Sequence, residues 1–222
     1  MNKIRFKYSK TGRAKYISHL DLTSVMQRAF LRAGIDLKYS EGFNPHPYIS
    51  AALPLSVGCE SICELMDVAV NGVNLPDITK IILPEGIKIL DVYASGRKFN
   101  DIAWIKINGV FQYNNSEPAN IVTVVEKIKN CFSNESIVIT KKTKRGIKEI
   151  DIAPYVKNTE IIFANTGVIG TEYNVLITAV ISAKDPVINT LDLENVLPED
   201  LKADHTEFKR IEIYDNNMLL FK

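Results

Sequence analysis

The sequence predicts an α+β protein made of two tandem ferredoxin-like domains, each with the element order β-α-β-β-α-β. Two observations favour this class. Short segments in which apolar residues alternate are separated by segments with helical spacing, and the same rhythm begins again after residue 102. The length of 222 residues accommodates two such domains. A hydrophobic share of 46% and a charged share of 24% are ordinary for globular proteins and exclude disordered, collagen-like and coiled-coil classes.

The first domain is predicted to span residues 1–98. Its opening segment alternates Ile4, Phe6 and Tyr8 with basic residues, which predicts a strand with one buried and one basic face. Helical spacing follows from 22 to 33, with a capping box at Ser18 and Asp21. Further strands are predicted at 37–39 with 48–55, at 62–70 and at 87–94, and a short helix at 76–83. The predicted core consists of Ile4, Phe6, Leu22, Val25, Met26 and Phe30.

The polar stretch 95–101 is the predicted boundary, and the second domain is predicted to span residues 103–222. The pattern predicts a strand at 103–113, an amphipathic helix at 118–132 and a hairpin at 137–152 that turns at Arg145-Gly146. A strand at 173–183, a short helix at 186–193 and a closing strand at 208–214 complete a second, looser β-α-β-β-α-β order.

The net charge of +1 conceals two basic clusters, one in the first 50 residues and one at 141–148. Separated charge of this kind indicates a polyanionic partner such as RNA. Phosphate contacts are therefore predicted for Lys3, Arg5, Lys7, Lys141, Lys142, Lys144 and Arg145.

The N-terminal segment has no apolar block behind a basic one, and no apolar run approaches membrane-spanning length, so neither a signal peptide nor a membrane partner is expected. The three cysteines contain no CxxC pair, which favours a reducing compartment over a disulfide framework. The expected location is the cytoplasm.

The segment 39–47 is the least ordinary part of the chain. Pro45 and Pro47 restrict the backbone of Asn44 and His46 to extended geometry. A stiff loop of this kind lowers the entropy cost of presenting Phe43, Asn44 and His46 to a ligand. A purely structural turn explains the same residues equally well.

A set of short motifs resembles the radical-SAM-linked protein family, a domain of unknown function found fused to or encoded beside radical SAM proteins. The motifs are Lys15-Tyr16-Ile17-Ser18-His19-Leu20-Asp21-Leu22, Arg28-Ala29, Tyr39-Ser40 and Gly42-Phe43-Asn44-Pro45-His46-Pro47, with a weaker match at Lys148-Glu149-Ile150-Asp151-Ile152 and Pro154-Tyr155. Family members carry a basic residue where this chain has Tyr48 and an Arg where it has Ala153.

The resemblance implies a radical SAM protein as partner. The chain itself lacks the closely spaced cysteines that an iron-sulfur cluster needs, so the resemblance implies an accessory without a cofactor of its own. Paired ferredoxin-like domains are also similar in architecture to the RAMP endoribonucleases of CRISPR systems.

The candidate site therefore lies in the first third of the chain. His19 and His46 are candidates for acid-base chemistry. No metal ion is predicted, because no paired-histidine motif is present. The predicted binding residues are Lys15, Tyr16, Ser18, Asp21, Arg28, Tyr39, Ser40, Phe43 and Asn44.

Three functions remain open from the sequence. The first is a non-catalytic accessory that binds or presents ribosomal or transfer RNA to a radical SAM enzyme. The second is a metal-independent, RAMP-like endoribonuclease. The third is a protein-interaction adaptor that holds the radical SAM partner without touching RNA.

Overall fold

The structure is a computed structural model that describes residues 2–72, 74–114, 118–143, 146–164 and 173–222. The chain divides into two compact units, residues 1–101 and residues 102–221. Each unit combines antiparallel strands with helices, which confirms the predicted α+β class.

The first unit has four strands, one α-helix and short 3-10 turns in its described part. Their bounds are β1 Lys3–Lys10, α1 His19–Arg32, β2 Ile49–Ala51, β3 Glu60–Ala69 and β4 Ile87–Ala94. Strand β1 lies between β4 and β3, β2 pairs with β3, and every pair is antiparallel. The sheet order in this unit is therefore β4-β1-β3-β2.

The predicted helix at 76–83 is wrong in extent, because only Ile78–Lys80 form a 3-10 turn. The Asp77 carboxylate accepts hydrogen bonds from the backbone N–H and the hydroxyl of Thr79, at 3.0 and 2.6 Å. A side chain that bonds its own neighbours in this way favours a single turn over a longer helix.

Both ends of α1 follow the predicted signals. The Ser18 side chain accepts a hydrogen bond from the backbone N–H of Asp21, at 3.2 Å, and so caps the N-terminus. At the other end Gly34 adopts φ +77°, Gly34 N–H donates to Leu31 and Ile35 N–H donates to Phe30. These two bonds form a Schellman motif, which needs a residue that tolerates left-handed geometry.

The core of the first unit lies between α1 and one face of the sheet. Ile4, Phe6, Leu22, Met26 and Phe30 are buried, as predicted, and Val25 is partly buried against them. The rings of Phe6 and Phe30 stack with centroids 4.5 Å apart. Burial of aromatic side chains of this size dominates the energetics of small cores.

The predicted basic outer face of β1 is wrong at Arg5, which is fully buried. Its guanidinium forms a two-pronged ion pair with Asp67, Nε to Oδ1 at 2.6 Å and Nη2 to Oδ2 at 2.9 Å. It also donates to Ser95 Oγ at 3.0 Å and to the carbonyl of Arg97 at 2.6 Å, and its Cζ lies 4.4 Å from the centre of the Phe99 ring. The segment after β4 therefore covers this face, which strand alternation alone does not predict.

The second unit contains β5 Ile102–Tyr113, α2 Pro118–Ser133, β6 Val138–Thr143, β7 Gly146–Asp151, β8 Val156–Ala164, β9 Tyr173–Ser182, α3 Thr190–Glu194 and β10 His205–Asp215. Four of its strands form an antiparallel arrangement in the order β10-β5-β9-β8, and β6 pairs with β7 as a separate hairpin. The Asp151 carboxylate accepts from the N–H groups of Ile137 and Ala153 at the base of that hairpin.

Strand β8 is an element that the sequence analysis missed. Its first half is polar, Asn158 has a positive φ of 49°, and the register shifts between Lys157 and Glu160. This irregularity breaks the period-two pattern on which the prediction depended. The predicted hairpin at 137–152 exists but does not belong to the main sheet, so the tandem ferredoxin-like arrangement stays a prediction.

None of the helices in the described part of the chain combines the length and the apolar character that crossing a bilayer requires. Cys59 and Cys63 are buried and Cys131 is half-buried, and the three form no disulfide within the described residues.

Removal of the Asp67 carboxylate by Asp67→Ala is expected to lower the free energy of unfolding by about 3–5 kcal/mol, because it leaves the buried Arg5 charge without its counter-ion. Urea denaturation measures the loss. The matched control is Glu85→Ala, which removes an exposed carboxylate of the same unit and should cost less than about 0.5 kcal/mol. Equal losses in the two variants would contradict the importance of the buried pair.

The stability of the protein is expected to fall at alkaline pH through Tyr113. Its hydroxyl donates to the carbonyl of Leu201 at 2.7 Å, and burial raises the pKa of this phenol above its usual value, with the Asp204 carboxylate as a smaller cause. Because the folded state retains the proton, this contribution is complete below about pH 10, the unfolded pKa, and is lost as the pH rises through the higher folded value. Denaturation as a function of pH should show a steeper alkaline decline for the wild type than for Tyr113→Phe, and parallel curves would exclude this origin.

Candidate functional site

The segment 39–47 forms a closed loop whose neck is held by backbone hydrogen bonds. Tyr39 and Pro47 are paired as an isolated antiparallel bridge, and the N–H of Tyr48 donates to Lys38 at 3.0 Å. One step nearer the tip, Ser40 N–H donates to the His46 carbonyl at 2.8 Å, and Ser40 Oγ accepts from the His46 N–H at 2.9 Å. Three hydrogen bonds therefore close the base of this short loop.

The tip of this loop presents an aromatic ring to solvent. Gly42 adopts φ +121°, which side chains with a Cβ rarely allow, and this geometry reverses the chain just before Phe43. The Phe43 side chain has a relative exposure of 111%, so that its ring makes essentially no shielding contact. An aromatic ring held fully in water by an ordered loop has no role in the core of the protein.

Other exposed side chains surround the neck. Lys38, Tyr39 and Tyr48 are exposed, and so are Asn44 and His46. The segment 38–48 therefore offers aromatic faces, the Lys38 ammonium, the Glu41 carboxylate and an amide. The exposed aromatic faces suit a ligand that has flat rings.

Ser18 and Asp21 are hydrogen-bonded to each other at the N-terminus of α1. Ser18 Oγ both accepts from the Asp21 N–H and donates to Asp21 Oδ2, the latter at 2.7 Å. His19 is the first residue of the helix and its side chain is exposed. Ser18 is confirmed as the N-cap residue, whereas ligand binding by Ser18, His19 and Asp21 stays a prediction.

Lys10 positions the segment that leads into this helix. The side chain is buried, with a relative exposure of 1%, and its Nζ donates to the carbonyls of Ile17 at 2.7 Å and Lys15 at 3.3 Å. Burial lowers the pKa of Lys10, and the nearby Glu64 carboxylate and Cys59 thiol raise it in part. The Lys10 side chain therefore anchors the 12–17 segment to β1.

Of the predicted binding residues, Tyr16 and Arg28 are exposed and Lys15 is half-buried. Lys15 Nζ stands 5.4 Å from the centre of the Tyr16 ring, and the Tyr16 side chain is 64% exposed. The Lys15 carbonyl also accepts from the Gly58 N–H at 2.9 Å, which connects this segment to the 53–58 loop. Arg28 is exposed on the helix.

The sequence also predicts that His19 and His46 lie within reach of one concave surface lined by Tyr39, Phe43 and Asn44, and this stays a prediction. Both imidazoles are exposed. Within the described ranges, no three His, Cys, Asp or Glu side chains come together as a metal centre would require.

The predicted phosphate contacts divide into several groups. Lys3 is exposed and Lys7 is half-buried, whereas Arg5 is committed to Asp67. Lys141 is half-buried and also has a partner, because its Nζ forms an ion pair with Asp192 at 2.6 Å and donates to the carbonyl of Val187 at 2.8 Å. The backbone of Lys142 belongs to β6, and Lys144 and Arg145 lie outside the described residues.

Sequence reasoning missed Lys10 and Trp104. Lys10 follows Ile4, Phe6 and Tyr8 in the inward phase of β1, and a lysine in that phase is a signal for a buried, bonded ammonium. Trp104 occupies the outward phase of β5 together with Lys106 and Asn108, where a large aromatic residue is unexpected. In both strands the signal is a residue type that does not fit its phase of the alternation.

These observations define a protein with two α+β units and a preorganised, aromatic-tipped loop in the first. Residues 3–189 match the family described as "Uncharacterized protein conserved in bacteria (DUF2344)". The chain belongs to this family. A search of curated proteins gives no match.

Two solved structures are similar over most of their length. One is Thermus thermophilus Cse3 bound to an RNA representing a pre-cleavage complex, 12% identical over 93% of this chain and 98% of that chain, with a TM-score of 0.21. The other is CRISPR endoribonuclease Cse3 bound to a 19-nucleotide RNA, 11% identical over 94% and 98%, with a TM-score of 0.20. TM-scores this low carry no conclusion about this chain.

Substitution Ser40→Ala is expected to loosen the loop while leaving the unit folded. It removes the hydroxyl that accepts from the His46 N–H, at a cost of about 1 kcal/mol. Hydrogen exchange should accelerate at the amide of His46 and leave the amides of β3 unchanged. Ser56→Ala, at an exposed serine of the same unit, is the control. Unchanged exchange at His46 in Ser40→Ala would show that the bond does not hold the loop.

Proposed function

We propose that this protein is a non-catalytic RNA-binding accessory that presents ribosomal or transfer RNA to a radical SAM enzyme. The observation that carries the RNA part of this proposal is the loop 39–47, whose bonded neck holds the Phe43 ring fully in water. An ordered loop that exposes an aromatic ring lowers the entropy cost of capturing a flat ligand.

Unpaired bases are the ligand that this loop suits best. A base stacked on an aromatic side chain contributes about 1–3 kcal/mol, and every base has a face that can stack. Lys38 precedes the loop and is exposed, so it can meet a phosphate while Phe43 meets a base. Contacts of these two kinds bind single-stranded RNA without reading its sequence.

The support for a radical SAM enzyme as partner is sequence resemblance. The motifs from Lys15 to Pro47 resemble the radical-SAM-linked family, and the chain has no cysteine spacing for a cluster of its own. In this proposal the protein binds and presents the RNA, and the partner enzyme carries out the radical chemistry. The reducing cytoplasm of a bacterium is the proposed setting, in keeping with three cysteines that form no disulfide within the described residues.

We also propose that both units are variants of the ferredoxin-like fold. The sheet orders β4-β1-β3-β2 and β10-β5-β9-β8 support this proposal. In each unit the strand that comes first along the chain, β1 or β5, is central. Its neighbours are the strand that comes last, β4 or β10, and the strand that comes third, β3 or β9. The shortened second helix of the first unit and the extra hairpin β6-β7 would then be departures from a shared plan.

Phe43→Ala is expected to weaken binding of single-stranded RNA by about 5- to 150-fold, the equivalent of one lost stacking contact of about 1–3 kcal/mol. The salt dependence should not change, because an uncharged ring releases no counter-ion. Lys38→Gln, by contrast, should reduce the slope of log affinity against log salt by about 0.7. Fluorescence anisotropy with a labelled ribosomal RNA fragment, at low and physiological salt, measures both effects.

The matched control for the first variant is Ile82→Ala, which removes another exposed apolar side chain of the same unit and should leave the affinity unchanged. Absence of RNA binding by the wild type at low salt would overturn the RNA proposal and favour a protein adaptor. RNA cleavage that disappears in His19→Ala or His46→Ala would favour the endoribonuclease instead.

The partner is tested separately by affinity purification with and without nuclease treatment. Recovery of a radical SAM protein in both samples would support direct contact between the two proteins. Recovery only without nuclease would place RNA between them, and recovery in neither sample would overturn the proposed partnership.

A further inference from the structure

The second unit contains a cavity of about 360 Å³ that the functions considered above do not use. It lies at the start of β5, the start of β8 and the end of β9. Pro154, Tyr155 and Trp104 provide its apolar walls. Small-molecule sites in proteins typically have volumes of about 300–1,000 Å³, so this cavity has room for one small ligand.

Strand register explains why Trp104 and a lysine meet there. Trp104 pairs with Ser182, and both Lys106 and Lys157 pair with Val180. Residues directly opposite one another in an antiparallel sheet point to the same face, so Trp104 and Lys157 share the face that carries Lys106. The Lys157 ammonium lies 3.6 Å from the centre of the Trp104 ring.

The charges around the cavity favour an anion. Lys157 and Lys184 are both exposed and line the cavity, whereas Asp185 is the acidic residue of its lining. Within the described part of the chain, no carboxylate forms an ion pair with Lys157, which rests on the indole ring instead. A cation held on an aromatic face keeps most of its charge available for a ligand.

We propose that this cavity binds a nucleoside monophosphate unit. The base would lie against the walls formed by Tyr155 and Pro154 beside Trp104, and the phosphate would meet the ammonium groups of Lys157 and Lys184. Asp185 can accept a hydrogen bond from an amino or hydroxyl group of the ligand. That the unit is the end of an RNA chain rests on the proposed function, whereas binding of a free nucleotide does not.

The test uses Trp104 as its own reporter, because it is the only tryptophan of the chain. The full-length protein is titrated with adenosine and uridine 5′-monophosphates while tryptophan emission is recorded. We expect a saturable change in emission. The corresponding nucleosides and inorganic phosphate should each bind at least about tenfold more weakly, since each supplies only part of the contacts.

Two substitutions at one position distinguish binding from misfolding. Lys157→Ala should weaken nucleotide binding by about tenfold, whereas Lys157→Arg keeps the charge and should bind nearly as the wild type does. Lys127→Ala, an exposed lysine on α2, is the control for loss of charge elsewhere in the unit. Equal binding by wild type and Lys157→Ala, or no saturable change with any nucleotide, would overturn the assignment.

Short RNAs with and without a 5′-phosphate separate the two sources of the ligand. Tighter binding of the RNA with a 5′-phosphate would indicate that the cavity binds an RNA terminus. Equal binding of the two RNAs, together with binding of the free nucleotide, would indicate that the ligand is a free nucleotide. If the wild-type protein binds RNA through Phe43 but binds no free nucleotide and shows no preference for a 5′-phosphate, this inference is overturned and the proposed function is not. Nucleotide binding without affinity for longer RNA would instead overturn the proposed function and leave the cavity assigned.

Discussion

The guanidinium of Arg5 connects three separate segments of the first unit. It lies on β1, pairs with Asp67 on β3, donates a hydrogen bond to the Arg97 carbonyl and contacts the Phe99 ring, both in the segment after β4. The opposite face of the same strand carries Phe6, which stacks on Phe30 of the helix. One strand therefore holds the core on one side and a covered ion pair on the other, and the geometry of both sides depends on its register with β3.

Local sequence signals predicted the regular parts of this unit well. The strand indicated by Ile4, Phe6 and Tyr8, the cap at Ser18 and the left-handed position at Gly34 each depend on neighbours within a few residues, and each is present as expected. Arg5 was mispredicted because its partners are 62 or more residues away, where no periodic pattern reaches. In the second unit β8 was missed for a local reason, since the irregularity between Lys157 and Glu160 hides its alternation.

The candidate site was predicted in outline and not in detail. Pro45 and Pro47 indicated a stiff loop around Phe43, and the bonded neck agrees with that expectation. The role of Ser40 as an acceptor for the His46 N–H could not be read from the sequence, because it depends on how the chain turns back on itself. The contact of Lys157 with Trp104 could not be read from the sequence either, because it depends on the pairing of β9 with both β5 and β8.

The way in which the 39–47 loop is closed has a consequence for how this family can diversify. Its neck is fixed mainly by backbone groups, and its tip residues Glu41, Phe43 and Asn44 are exposed. Tip side chains can therefore be exchanged over evolutionary time at little cost in folding, provided that the residue at 42 tolerates its positive φ. Under the proposed function, substitutions at these three exposed positions would change the ligand preference and leave the scaffold beneath them unaltered.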